Sequence, residues 1–216
     1  HPDQDAWYAS TTATIAIGIP EGVHSLMLGM DKSERGEATT PYIPPIREKT
    51  IPNIEDGIWY IHAQIDGAEG RETEHFRIQI DRTKPTEVTV KEIKRSDEAD
   101  PNITVEVGGT DVPSGVASYG FSVNGGPEER WRDDGSHQHT FRVNVPGDHR
   151  LLMTVYDRAG NGTVRDLPFS VGYMDALTLT GEKSDLEEGD RLIVNILGKA
   201  NAKVEISTML GDEPPV

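Results

Sequence analysis

The chain has 216 residues, room for one large domain or for two of about 100 with a remainder. Its 22 Gly and 14 Pro weigh against long helices, since an interior Gly costs roughly 1 kcal/mol and an interior Pro roughly 3. A net charge of −16 repels phosphate backbones and anionic lipid, no apolar run approaches the ~18 residues of a membrane span, and the lack of Cys excludes thiol catalysis and Cys-ligated zinc.

Short alternating segments follow one another from the start. Trp7 is expected to cover an open end of the first core. Ile15, Ile17 and Ile19 recur at a period of two within Ala13 to Ile19. Val23, Leu26, Leu28 and Met30 continue the pattern, with one break in parity at Ser25. Next come Trp59, Ile61, Ala63 and Ile65, then Phe76, Ile78 and Ile80. A period of two places side chains on alternate faces, so each segment predicts a half-buried strand, with Trp59 in the core. A second series comprises Ile103 to Val107, Tyr119 to Val123, Phe141 to Val145, Leu151 to Val155, and Phe169 with Val171. No stretch carries a helical stripe, and the chain reads as all-β.

The two series are related. Gly22 to Leu28 aligns with Gly115 to Phe121, Gly57 and its stripe with Gly147 and its stripe, and Phe76 and Ile78 with Phe169 and Val171. Three segments in the same order, each about 90 residues apart, predict two copies of one fold. Between them Asp81-Arg82-Thr83-Lys84-Pro85-Thr86 is too short and too stiff for a flexible tether. After Tyr173 a third copy starts, with Leu177 to Leu179, Arg191 to Leu197 and Lys203 to Ser207 as its strands. The expected division is 1–82, 83–173, and a truncated third sandwich over 174–216. The opening His1-Pro2 reads as a fragment or a mature segment.

Three stretches carry a family resemblance. Asp157-Arg158-Ala159-Gly160-Asn161 resembles the D-x-A-G-N turn of bacterial and archaeal immunoglobulin-like, or fibronectin type III-like, repeats. Thr110 to Val116 with Tyr119 to Gly126 resembles their D-x-x-S-G-V and Y-x-x-S-V-x-G-G stretch, and Asp81 to Pro85 their D-x-T-x-P junction. The first copy departs at its own turn, Asp66-Gly67-Ala68-Glu69-Gly70, which lacks the terminal Asn. The resemblance implies tandem β-sandwiches in an exported or cell-surface protein, serving as stalks, adhesin arms or accessory modules beside enzymes. It carries no ligand with it.

Turn chemistry alone accounts for much of the shared motif, because Asp157 can accept from its own following N–H groups and Gly160 and Asn161 tolerate positive φ. A sharper reading exists. In a sandwich of this type the entering segment, the loop between strands two and three and the loop between the last two strands share one pole. Asp81, Asp111, Asp157 and Asn161 would meet there, and hard oxygen ligands suit Ca²⁺. No tight D-x-D-x-D-G run is present, so solvated turn carboxylates are the competing reading. Catalytic motifs are absent: there is no G-x-S-x-G, no phosphate-binding G-x-x-x-x-G-K and no H-E-x-x-H. His137 and His139 would share a strand face but read better as a solvated edge. Trp131, flanked by charge, is the candidate ligand-binding aromatic for a sugar or protein partner, weighed against a residue covering the core edge. Two N-x-S/T sequons, at Asn102 and Asn161, are near chance.

The expected function is therefore a non-catalytic structural or adhesive spacer in a secreted or cell-surface protein. Its partners would be other domains of the same longer chain, with surface glycan or protein possible, and neither nucleic acid nor membrane insertion. The alternatives are a carbohydrate- or protein-recognition module, and accessory domains of an extracellular hydrolase.

Overall fold

The computed structural model describes residues 3–67, 70–132 and 134–173, so the expected third sandwich lies outside the described residues. Among the described residues there are fourteen β-strands and no helix. Over these residues the chain is all-β, built from four sheets.

The first seven strands are β1 (Trp7–Tyr8), β2 (Ala13–Ala16), β3 (Ser25–Asp31), β4 (Thr40–Tyr42), β5 (Glu48–Ile51), β6 (Gly57–Gly67) and β7 (Gly70–Ile80). They build a five-stranded sheet, β1-β7-β6-β3-β4, and a two-stranded sheet, β2-β5. The next seven are β8 (Thr86–Glu92), β9 (Asn102–Thr110), β10 (Val116–Val123), β11 (Glu129–Trp131), β12 (Gln138–Arg142), β13 (Gly147–Asp157) and β14 (Gly162–Val171). These build a four-stranded sheet, β11-β10-β13-β14, and a three-stranded sheet, β12-β9-β8.

The two strand orders correspond. β7-β6-β3-β4 has the order of β14-β13-β10-β11, and β2-β5 that of β9-β12. The one difference is the first strand: β1 pairs in parallel with β7, whereas β8 joins β9. Each segment pair aligned from sequence falls on corresponding strands, β3 with β10, β6 with β13, and β7 with β14. The aligned glycines also share a backbone state: Gly22 and Gly115 have φ of 81° and 84°, Gly57 and Gly147 of 131° and 122°. Only glycine takes such angles without strain, which is why these four positions carry the alignment.

Over the described residues the chain packs as two compact units, 3–91 with 105–139 and 150–167, and 92–104 with 140–149 and 168–173. In the first, Ala13, Ile54, Ile61, Ile78 and Ile80 form a buried cluster against which Tyr8, Ile15, Trp59 and Phe76 pack. The alternation of β6 and β7 explains this membership, since Trp59 and Ile61 face Ile78 and Phe76 across the pair. Each fully buried Leu or Ile contributes about 1.5–3 kcal/mol. Trp59 keeps its polar edge satisfied, donating from Nε1 to the Glu55 carbonyl at 2.8 Å. The same unit buries Val105, Val107, Tyr119, Leu151, Met153 and Val155, all in phase with their alternation.

In the second unit Ile103, Phe141, Phe169 and Val171 are buried, with Phe141 and Phe169 meeting edge-on at 5.8 Å. Arg95 ties this unit's loops together. Its guanidinium pairs with Glu92 at 2.8 Å and donates to the carbonyls of Glu98, Asp100 and Ser170. Arg95 has no counterpart in the alternating pattern and was not singled out from sequence.

Candidate metal centre

Three carboxylates come together as their places in the chain require. Asp81 follows the last residue of β7, and its backbone N–H donates to the Tyr8 carbonyl at 3.0 Å, so the end of the β1–β7 pairing sets its position. Asp111 begins the turn from β9 to β10. Asp157 ends β13, where Gly160 takes φ of 90° to reverse the chain into β14. One carboxylate oxygen from each of Asp81, Asp111 and Asp157 lies within 4.8 Å of the others.

Each carboxylate is held by hydrogen bonds. Asp81 is fully buried; its Oδ1 accepts from the Thr83 N–H at 3.0 Å and the Thr83 hydroxyl at 2.6 Å, and its Oδ2 accepts from the Ser114 N–H at 3.1 Å. Asp157 is buried as well, with Oδ1 accepting from the Asn161 N–H at 2.8 Å and Oδ2 from the Asn161 side-chain amide at 2.7 Å. Asp111 accepts through Oδ2 only, from the Ser114 hydroxyl at 3.0 Å and the Gly115 N–H at 2.8 Å. Its Oδ1 is buried and has no hydrogen-bond partner.

The electrostatics divide the acids. Burial pushes Asp81 upward, but hydrogen bonds from Ser114 and Thr83 outweigh it and hold the carboxyl below the usual range. Burial raises Asp111, and the charges of Asp81 and Asp157 add to the rise, exceeding the help from Gly115 and Ser114. A buried carboxylate oxygen without a donor, beside two further carboxylates, needs a proton or a cation. Calcium takes 6–8 oxygens at about 2.3–2.6 Å, so oxygens on opposite sides of one ion stand up to about 5 Å apart. The spacing here fits all three on a single ion.

Asn161 has a different part from the one its position suggests. Its side-chain amide donates to Asp157 and also to the Asp81 carbonyl at 3.0 Å, so it braces two acids through nitrogen rather than presenting oxygen. Thr83 and Ser114, the main donors to Asp81, were not singled out. Both are present in the D-x-T-x-P and D-x-x-S-G stretches, and their hydroxyls were the available signal.

Trp131 stands elsewhere, on β11. Its half-buried ring stacks on His139 at 4.2 Å and lies 5.2 Å from Tyr119 and 5.9 Å from Phe121. Burial in that stack pushes the His139 imidazole below its ordinary pKa. His137 instead brings Nδ1 to 3.4 Å from the Tyr119 hydroxyl, so the two histidines have separate engagements.

No protein-family model matches the chain, and no curated protein matches it. Solved structures do. The fibronectin(III)-like modules of Clostridium thermocellum CbhA match with 16% identity over 79% of this chain and 90% of theirs, at a TM-score of 0.46. Murine CEACAM1b matches with 8% identity over 77% and 95%, at 0.42. The amphioxus IgVJ-C2 molecule matches with 12% identity over 76% and 99%, at 0.33. At such identities the likeness carries no ligand.

Proposed function

We propose that this chain supplies structural spacer modules of an exported surface protein, arranged as tandem sandwiches over 1–82 and 83–173, with a calcium ion fixing the join. The observation that carries this is the partnerless, buried Oδ1 of Asp111 beside Asp81 and Asp157. A spacer needs its modules held in one orientation, and an ion clasped by the entering segment and two loops of the following sandwich removes freedom at that point. The resemblance of residues 81–85, 110–126 and 157–161 to bacterial and archaeal immunoglobulin-like repeats supports the exported setting. No catalytic role is assigned.

The test is thermal unfolding with and without calcium. At a calcium concentration 100 times the Kd, the chelated protein gains about 2.7 kcal/mol. Asp111→Asn keeps an acceptor for Ser114 and Gly115 while removing one charge. It should therefore be as stable as the wild type in chelator, or more so, and gain nothing from calcium. No calorimetric heat and no shift in melting temperature for the wild type would falsify the metal centre.

Recognition, the competing function, is tested separately on a glycan array with Trp131→Ala as control. The spacer reading expects no binding by the wild type. Binding that disappears in the variant overturns it in favour of a carbohydrate module.

A further inference from the structure

His62 on β6 and His75 on β7 are directly opposed in the pairing of those strands. They occupy the face turned away from the Ile61 and Ile78 core, because both are one residue out of phase with it. His62 is nonetheless fully buried, while His75 is exposed. The cover over His62 is the segment between β3 and β4. There the Thr39 N–H donates to the Leu28 carbonyl at 3.1 Å, and a side chain at Gly36 would overlap the Asp31 carboxylate and Nε2 of His62.

The two imidazoles meet Nδ1 to Nδ1 at 2.7 Å, and His62 Nε2 lies 3.1 Å from Asp31 Oδ1. Two ring nitrogens this close hold one proton between them; two N–H groups would collide and two lone pairs would repel. Asp31 decides which ring provides it. Asp31 is half exposed and its Oδ1 already accepts from the Ser33 N–H at 2.6 Å, so at neutral pH it is an acceptor-only carboxylate and what faces it on His62 is a donor. Neutral His62 therefore carries its proton on Nε2 and turns the Nδ1 lone pair toward His75.

The shared proton marks a point to which two imidazole donors converge, with a carboxylate fixing one of them from behind. We infer that His62 and His75 form a binding site for a late first-row divalent cation, zinc above all, with Nδ1 of each ring as ligand. Asp31 acts as a positioning residue through Nε2 of His62. When His75 moves its proton to Nε2, the second lone pair meets the first, and the metal takes the place of the hydrogen. Imidazole nitrogen suits zinc, copper and nickel, whereas the oxygen cluster around Asp111 suits calcium.

The geometry requires little movement. Zn–N bonds of about 2.0–2.1 Å at a tetrahedral angle put the nitrogens about 3.3 Å apart, so the pair opens by about 0.6 Å. His75, being exposed, can supply that by torsion, and its solvent side leaves the remaining coordination positions to water. The carboxylate–histidine–metal chain is the usual way a ligating ring is held in tautomer and orientation. Arg77, two residues along β7 from His75 and on the same face, already pairs with Asp5 and donates to the Gln4 carbonyl at 2.9 Å, so its charge is offset.

The experiment is a zinc chloride titration of metal-stripped protein, read from the histidine ring signals by long-range ¹H–¹⁵N NMR. The signals of His62 and His75 should shift together, with His62 keeping the nitrogen signature of Nε2–H. His75→Gln, at an exposed position whose folding a melting curve verifies, should weaken zinc at least tenfold. Asp31→Asn should weaken it about tenfold and lose the fixed tautomer of His62. Calcium chloride should leave both rings unchanged. Unmoved signals at zinc on the order of 1 mM, undiminished affinity in His75→Gln, or a response confined to His137 and His139 each overturns the site. An Asp31→Asn protein with full affinity and the same tautomer removes Asp31 from its positioning role.

Discussion

Asp81→Ala is expected to cost about 3–4 kcal/mol and lower the melting temperature by about 10 °C, which thermal unfolding in chelator measures. The carboxylate accepts three hydrogen bonds while fully buried, two from Thr83 and one from the Ser114 N–H. Alanine leaves those donors without an acceptor. Thr83 has a second hydroxyl acceptor in the Val112 carbonyl at 2.9 Å, so it loses less, but the Ser114 N–H is buried with its residue and cannot turn to water. Bonds to a charged acceptor are worth about 1.5–3 kcal/mol each, and some of that is returned because removing Asp81 relieves its repulsion of Asp111. The loss still wins.

The pH dependence has a definite sign. The folded pKa of Asp81 lies below its unfolded value, so its stabilisation is complete above about pH 4 and lost as pH falls through the lowered folded value. The gap between wild type and Asp81→Ala should narrow on acidification below pH of about 4. Asp111 runs the other way. Its folded pKa is raised, so it binds its proton more tightly when folded, and stability is lost as pH rises from the unfolded value through the raised one. In chelator that loss belongs to the wild type and is absent from Asp111→Asn. Calcium removes it, which makes the metal's benefit greatest above the raised pKa.

The pole of three acids was legible because it follows from connectivity. Once residues 1–82 and 83–173 are read as two copies of one sandwich, Asp81, Asp111 and Asp157 must occupy the entering segment and two loops at one end. What could not be read was the direction of each side chain. Asn161 looks like an oxygen ligand in sequence and is an amide donor in the fold, since the choice depends on which atom turns to Asp157 and the Asp81 carbonyl. The strands show the same division. Long alternating segments such as β6 and β13 declared themselves, whereas β4 and β5, three and four residues with Pro41 in one of them, have too little pattern to register. His62 was the hardest. One residue out of phase with the core, it belongs by periodicity on a wet face, and only the return of residues 32–39 over that face buries it.

That return depends on Gly29, and Gly29→Ala is the substitution that tests it. Gly29 lies in β3 opposite His62, where a Cβ would overlap the Glu37 carbonyl oxygen and stand 3.1 Å from Ala38 Cα. Both are backbone atoms, so neither can swing aside as a side chain would. Two effects oppose one another. Alanine in a strand interior gains roughly 0.5–1 kcal/mol over glycine by reducing unfolded-state freedom. Forcing the covering segment outward costs about 1–3 kcal/mol, with more where backbone must move, and exposes His62 as Ala38 leaves its buried position. The expected net is a loss of about 2 kcal/mol, with His62 becoming reactive to diethyl pyrocarbonate, which the covered ring resists. Gly36→Ala provides the comparison. Its Cβ meets the Asp31 carboxylate, the end of a side chain that can rotate, together with the His62 ring, so its cost should be smaller by about half. A Gly29→Ala protein more stable than the wild type would mean that unfolded-state entropy dominates and that the segment does not lie on β3 this closely. A protein that loses stability while His62 stays protected would mean that the strand, and not its cover, had given way.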